Sequence, residues 1–341
     1  MPSFRRAEVT EVLSERPGLQ RLAVVMADGT SARAYALTAL TATVAPGDTV
    51  VCNTTAVELG LGTGGWHVVH WNLSRDELVL PGPDHIMKLR YTSLQFDAGT
   101  SELAHPEAAD APLDGAPVVA CTVHSQVAMV ALGFAHAAPG RRLVYVMTDG
   151  ASLPLALSDL VAALAERGLL AGTVTAGHAF GGDLEAVTVP AAYGLARHVL
   201  GADAIVVGMG PGVVGTGTAM GTTAAEAAWL LDSAERRGGR PVLCVRASDG
   251  DPRPRHQGIS HHVGTVLGLA HCTPLAAAVP EEVRTLAGVE AVEVPDAPPA
   301  ATLLGAAGLQ VTTMGRAEAE DPVFFRAAVA AGVLAGSLLH T

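Results

Sequence analysis

Ala204-Ile-Val-Val-Gly-Met-Gly-Pro-Gly-Val-Val-Gly-Thr-Gly-Thr-Ala-Met-Gly221 is the stretch on which the fold turns. Its first part, Ile205 to Val207, is β-branched and apolar, which suits a strand buried on both faces. The rest is a loop holding Gly208, Gly210, Gly212, Gly215, Gly217 and Gly221. Glycine reaches backbone angles closed to other residues and lets a ligand or a second backbone come close. A buried strand opening into such a loop is how many α/β proteins line an anion site with backbone N–H groups. Gly210, Gly212, Gly215, Thr216 and Gly217 are therefore the expected ligand-binding positions of the loop. The plainer alternative is a loop whose glycines only let strand and helix pack closely.

Gly210-Pro-Gly-Val-Val-Gly215 also matches the dinucleotide fingerprint. That motif needs a helix opening within the glycines, with the pyrophosphate on its N-terminus. Here the better helix start is later: Thr223-Ala-Ala-Glu226 has the form of a capping box, and a helix is expected over 224–237, ending at Gly238-Gly239. A loop of about 15 residues is too long for the tight fingerprint turn. The following strand ends in Arg246 rather than an acid, so NADP is conceivable but disfavoured.

Working outward, apolar strands alternate with helical stretches from Val118 onward. Strands are expected at 118–123, 143–148, 172–175, 205–207 and 242–245, with strand-like runs at 291–294 and 310–313. Helices are expected from Ser125, over 153–167, near Pro190, over 259–270 and over 323–339. Continuous apolar strands between helices imply a mostly parallel sheet covered on both faces, a Rossmann-like three-layer domain over 118–341. Residues 1–96 differ. Short strand-like runs at 8–13, 21–26, 31–37, 49–53 and 66–71 are separated by Pro17-Gly18, Asp28-Gly29, Pro46-Gly-Asp48 and Gly62-Thr-Gly-Gly65. They suggest a small β-barrel or sandwich. Between the two, 97–117 is rich in Ala, Asp, Glu, Pro and Gly and is expected to be a linker or long loop.

In open α/β sheets, ligands bind beyond the carboxyl ends of the strands. The residues just past each expected strand are therefore informative. His124 and Ser125 come after the first, Asp149 after the second, and His178 with Asp183 and Glu185 after the third. The glycine loop comes after the fourth, and Arg246, Arg253, Arg255, His256, His261 and His262 after the fifth. If the sheet is parallel, these groups converge on one edge. Asp149, His178 and His261 are candidates for acid–base work. Arg246, Arg253 and Arg255 would join the glycine-loop amides around a phosphate or carboxylate. A divalent metal would draw on His178, Asp183, His256 and His262, although none has the close spacing of a known metal motif. His67 and His70 make a poorer pair, because strand positions three apart face opposite sides. There is no G-x-S-x-G to support a serine hydrolase.

A chain of 341 residues with 49% hydrophobic and 16% charged residues can bury a real core. The net charge of −12 argues against nucleic acid or an anionic membrane as the main partner, while leaving room for a local basic pocket. No signal peptide is expected from Met1-Pro-Ser-Phe-Arg-Arg, and the apolar tail carries Arg326 and is short for a span. Cys52, Cys121, Cys244 and Cys272 show no C-x-x-C and suit free thiols in a reducing cytoplasm. Lys88 is the sole lysine, which chance in an arginine-biased chain explains better than special chemistry such as a titrating amine does. The oligomeric state is left open, a homo-oligomer included.

Several motifs together resemble a bacterial family filed as domain of unknown function 3866. They are Asn53-Thr-Thr-Ala-Val-Glu-Leu-Gly-Leu-Gly-Thr-Gly, His85-Ile-Met-Lys-Leu-Arg-Tyr, Met147-Thr-Asp-Gly, Gly177-His-Ala-Phe-Gly-Gly-Asp, the Gly210 loop, Pro252-Arg-Pro-Arg-His-Gln-Gly-Ile-Ser-His-His and Val311-Thr-Thr-Met-Gly-Arg. The resemblance spans nearly the whole chain and implies a cytoplasmic bacterial protein, but no activity or site residue. The expectation from the residues is thus a cytoplasmic small-molecule enzyme binding an anionic ligand at the carboxyl edge of the sheet. The alternatives are a non-catalytic metabolite-binding or assembly module and a metal-dependent hydrolase using the His/Asp cluster.

Overall fold

A computed structural model describes residues 2–62 and 64–340. Thr63, inside the expected turn at 62–65, lies outside the described residues. The chain forms two compact units, Met1–Gly99 and Thr100–Thr341.

In the first unit, β1 (Phe4–Arg16), β2 (Leu19–Met26), β3 (Ser31–Leu37), β4 (Thr49–Asn53) and β5 (Trp66–Asn72) close into a barrel of order β1-β2-β3-β5-β4. All pairs are antiparallel except β3 with β5. This is the strand order of the five-stranded Greek-key barrel that underlies OB-folds. Alternate residues such as Val9, Leu22, Val24, Ala34, Val50 and Val69 point inward and fill it. His67 faces in and is buried, whereas His70 stacks on the ring of Phe4, as period-two alternation requires. A small pair, β6 (Met87–Lys88) with β7 (Phe96–Asp97), carries the sole lysine, which is buried.

The second unit is built on eight parallel strands: β8 (Pro117–Ala120), β9 (Leu143–Thr148), β10 (Gly172–Ala176), β11 (Leu184–Ala186), β12 (Ala204–Met209), β13 (Arg240–Leu243), β16 (Leu275–Ala277) and β17 (Glu290–Val292). Their order is β11-β10-β9-β12-β8-β13-β16-β17. A separate antiparallel pair, β14 (Ala247–Ser248) with β15 (Gly258–Ile259), stands beside the sheet. Side chains divide by parity. Leu143, Tyr145 and Met147 of β9 face one core, and Val144 and Val146 the other. Helices Gln126–Ala137, Asp159–Glu166, Ala300–Ala307 and Pro322–Ser337 cover the first face. Helices Val189–His198, Glu226–Arg236 and His261–Leu269 cover the second. The helix after β8 and the helix after its neighbour β12 thus lie on opposite faces. That divergence opens a crevice at the carboxyl edge.

Several expected elements change. The segment 97–117 is no linker: it holds helix Pro106–Asp110, and Ala109, Leu113 and Ala116 join the second unit's core. The helix expected over 153–167 is only Asp159–Glu166, because Pro154 bridges the backbone of Phe180 and Ser158 caps the helix through Val161 N–H. The strand-like run at 310–313 forms only an isolated bridge, Thr313 to Arg316. The capping box is not built: Thr222 caps a 3-10 turn through Ala224 N–H, and Glu226 opens the helix with its carboxyl turned to the sheet. Pro322–His340 is long and apolar enough to cross a membrane, but 67% of that window is buried, as in a core helix. All four cysteines are buried free thiols.

Candidate functional site at the carboxyl edge of the sheet

The glycine stretch leaves β12 and folds back on itself. Gly215 bridges Thr222, Thr216 N–H donates to Gly221 O at 2.8 Å, and Thr223 N–H donates to Val214 O at 2.9 Å. Val214 N–H and Gly221 N–H bind the hydroxyls of Thr223 and Thr218. The loop is therefore a hairpin-like tongue rather than a phosphate cradle. Gly210 is buried, and a Cβ there would stand 2.7 Å from Ser152 O, so this glycine serves packing and cannot face a ligand. Gly217, at φ +85°, turns the tip; a Cβ there would lie 3.8 Å from Cζ of Arg255. Thr265 pins the tip by donating to Ala219 O at 2.8 Å. No hydrogen bond is made by the amides of 217–220 among the described residues.

Arg246 and Arg253 do not meet the expectation that they wait for an anion. Arg253 grips Asp251 with two hydrogen bonds, 2.8 and 2.7 Å. That grip holds the Asp251 carboxyl well below the usual carboxylate range. Arg316 joins Asp251 at 3.2 Å and Asp321 at 2.9 Å, and Asp321 in turn accepts from Ser248. Arg246 is 3% exposed and donates to Nδ1 of His262 at 3.1 Å. Burial, with Arg253 nearby, lowers its pKa to about 10. Only Arg255 of the three stands exposed with no ion pair among the described residues.

Beside these arginines, the turn Pro254–His256 and the start of helix His261–Leu269 bring three imidazoles together. Ring centroids are 4.4 Å apart for His261 and His262, 4.9 Å for His256 and His261, and 5.0 Å for His256 and His262. One nitrogen from each lies within 4.8 Å of the others. Burial and then the neighbouring guanidinium groups push His256 down to about 4 and His262 to about 3, with His261 lowered too, so all three rings are neutral at pH 7. His178 and Asp183 do not join them. Asp183 takes Thr173 N–H and hydroxyl at the start of β10, away from the carboxyl edge. His178 sits past β10, its backbone N–H donating to Asp149 at 2.9 Å.

Glu226, which sequence reasoning did not place in the site, joins the expected Asp149 at the exit of β9. Glu226 accepts from Thr148 Oγ1 at 2.7 Å, and a Cβ at Gly150 would fall 2.5 Å from Glu226 Oε2. Burial, reinforced by the charge of Asp149, raises Glu226 to about 7. Gly150 leaves the space that the Glu226 carboxyl occupies, a contact that no local pattern of the sequence signals. His124, by contrast, is a half-buried histidine with both ring nitrogens satisfied. Its Nδ1 faces Met209 O at 3.2 Å and its Nε2 accepts from Ser158 Oγ at 2.7 Å. It edges a pocket of about 760 Å³ between the β8 exit, Gly212 and residues 308–314.

A family model described as protein of unknown function, DUF3866, matches residues 33–332. The chain belongs to this family. No curated protein and no solved structure matches it. No helix opens inside the fingerprint glycines, which removes the turn a dinucleotide pyrophosphate requires.

Proposed function

We propose that this DUF3866 protein is a cytoplasmic small-molecule enzyme that binds an anionic, phosphate- or carboxylate-bearing substrate at the carboxyl edge of its parallel sheet. The observation that carries the reading is the meeting of the glycine tip with Arg255, next to the cluster of three imidazoles. The tip amides and the uncommitted guanidinium provide oriented donors for an anion. Asp149, just past β9, and Glu226, which opens the helix after the glycine loop, form the acid–base pair, since a carboxyl that titrates near 7 both gives and takes a proton at neutral pH. Four unpaired buried thiols agree with a reducing compartment.

Isothermal titration of the full chain with inorganic phosphate, pyrophosphate and small phosphorylated or carboxylated metabolites tests this. Binding is expected, and Arg255→Ala should weaken it about tenfold or more, the worth of a charged hydrogen bond. Identical affinities in wild type and Arg255→Ala, or no binding of any anion, would overturn the reading.

A further inference from the structure

The three imidazoles carry a further assignment. The Nε2 atom of His261 is buried and has no hydrogen-bond partner. A buried polar atom left so is destabilising, and a cluster of merely structural histidines would be arranged to avoid it. His256 is held in place by its Nδ1, 2.8 Å from Ser260 Oγ. Ser260 is itself fixed as the N-cap that accepts from His262 N–H. Ring orientation is thus built in, while inner nitrogens converge within 4.8 Å.

We infer that His256, His261 and His262 form a binding site for one divalent transition metal of the zinc class, with a fourth position open to the anionic ligand. Imidazole nitrogens suit zinc, cobalt, nickel or copper, and three protein nitrogens with an open position are the pattern of catalytic rather than structural zinc sites. Magnesium and calcium are poorly matched because they take oxygen ligands, and the nearby carboxylate of Asp251 is held by Arg253 and Arg316.

Arg246 makes the site specific in its behaviour. Its guanidinium donates to Nδ1 of His262, so in the metal-free protein the hydrogen of that ring sits on Nε2. With Nδ1 taken by Arg246, Nε2 is the nitrogen left for a metal; a metal there would leave the ring hydrogen on Nδ1, facing the guanidinium, which would have to move away. Asp251 Oδ2, already 3.9 Å from the guanidinium, is the acceptor that receives Arg246. A dication among Arg246, Arg253 and Arg255 is also repelled until an anion occupies the fourth position. Metal and anion therefore bind with positive coupling, and this coupling, unlike the site itself, rests on the proposed anion binding. Arg246→Gln replaces a donor-only cation with a neutral amide whose oxygen can accept from Nδ1–H, so it should tighten the metal and loosen the anion.

Titration of the full chain with cobalt(II), after chelator treatment, reads the site through the visible absorption of the bound ion. Zinc competition gives the stoichiometry and affinity. One ion per chain is expected. Affinity should fall at least about tenfold in His256→Ala and His261→Ala and rise about tenfold in Arg246→Gln, with circular dichroism unchanged. Should a histidine variant misfold, the Arg246→Gln gain still decides. No stoichiometric binding, or equal affinities across these variants, overturns the metal site. Phosphate titration of both the metal-free and the cobalt-loaded protein separates the two readings. Loss of cobalt binding with phosphate binding intact removes the metal alone. Cobalt bound with no phosphate binding removes the anion reading and the coupling.

Discussion

Glu226 shows how a single partner sets a residue's chemistry. Its carboxyl would ionise near 4.5 in the unfolded chain and is raised to about 7 in the folded one. Between those values the folded state keeps a proton that the unfolded state has released. Stability from this group is therefore full below about pH 4.5 and is lost as pH rises through 7, by at most about 3 kcal/mol. Glu226→Gln keeps an acceptor for Thr148 without the charge. It should raise the melting temperature at pH 8 and leave it nearly unchanged at pH 4.5, in scanning calorimetry. His124, lowered to about 4 by burial, acts in the opposite sense: its contribution is lost as pH falls from about 6.5. The comparison is accordingly made between variant and wild type at each pH. An equal shift at both pH values would mean that Glu226 is ionised in the fold.

At the scale of elements, helices Gln126–Ala137 and Pro322–Ser337 pack closely through glycine. A Cβ at Gly133 would stand 2.1 Å from Val329 O, and one at Gly332 2.1 Å from Val130 O. Neither neighbour is a flexible side-chain end, so the helices must part. Gly332→Ala is expected to destabilise by about 2–3 kcal/mol through overpacking, read from urea unfolding at constant m-value. The buried strands were legible because hydrophobic runs depend only on local sequence; Leu143–Thr148 and Thr49–Asn53 form where expected. The misread helix starts at 153 and 223 had another cause. Pro154 and Glu226 each have a partner across the sheet edge, Phe180 and Thr148, that outweighs local capping preference. The supposed linker failed similarly, since its few apolar residues, Ala109 and Leu113, are enough to anchor it in a core.

At the scale of the molecule, each unit has a core of its own: Val9, Leu22 and Val50 in the first, and two layers about the sheet in the second. Residues 1–99 and 100–341, expressed separately, should each unfold cooperatively, the first with a β-type circular dichroism spectrum. A fragment lacking a thermal transition would show that its core is not self-sufficient. By itself the sequence determined the β-rich first part, the alternation that makes a parallel sheet, and the carboxyl edge as the place where reactive groups gather. Those come from short-range patterns of burial and turn chemistry. Which groups meet was decided only by tertiary structure. Asp251 pairs with Arg253 and removes it from the anion-binding role expected of it, Asp183 turned back to Thr173, and Asp321 crossed more than 70 positions to reach Ser248. His256 met His261 and His262 through a turn joined to a helix. A charged side chain seeks whichever partner best offsets its burial, and that partner is set by the path of distant chain segments.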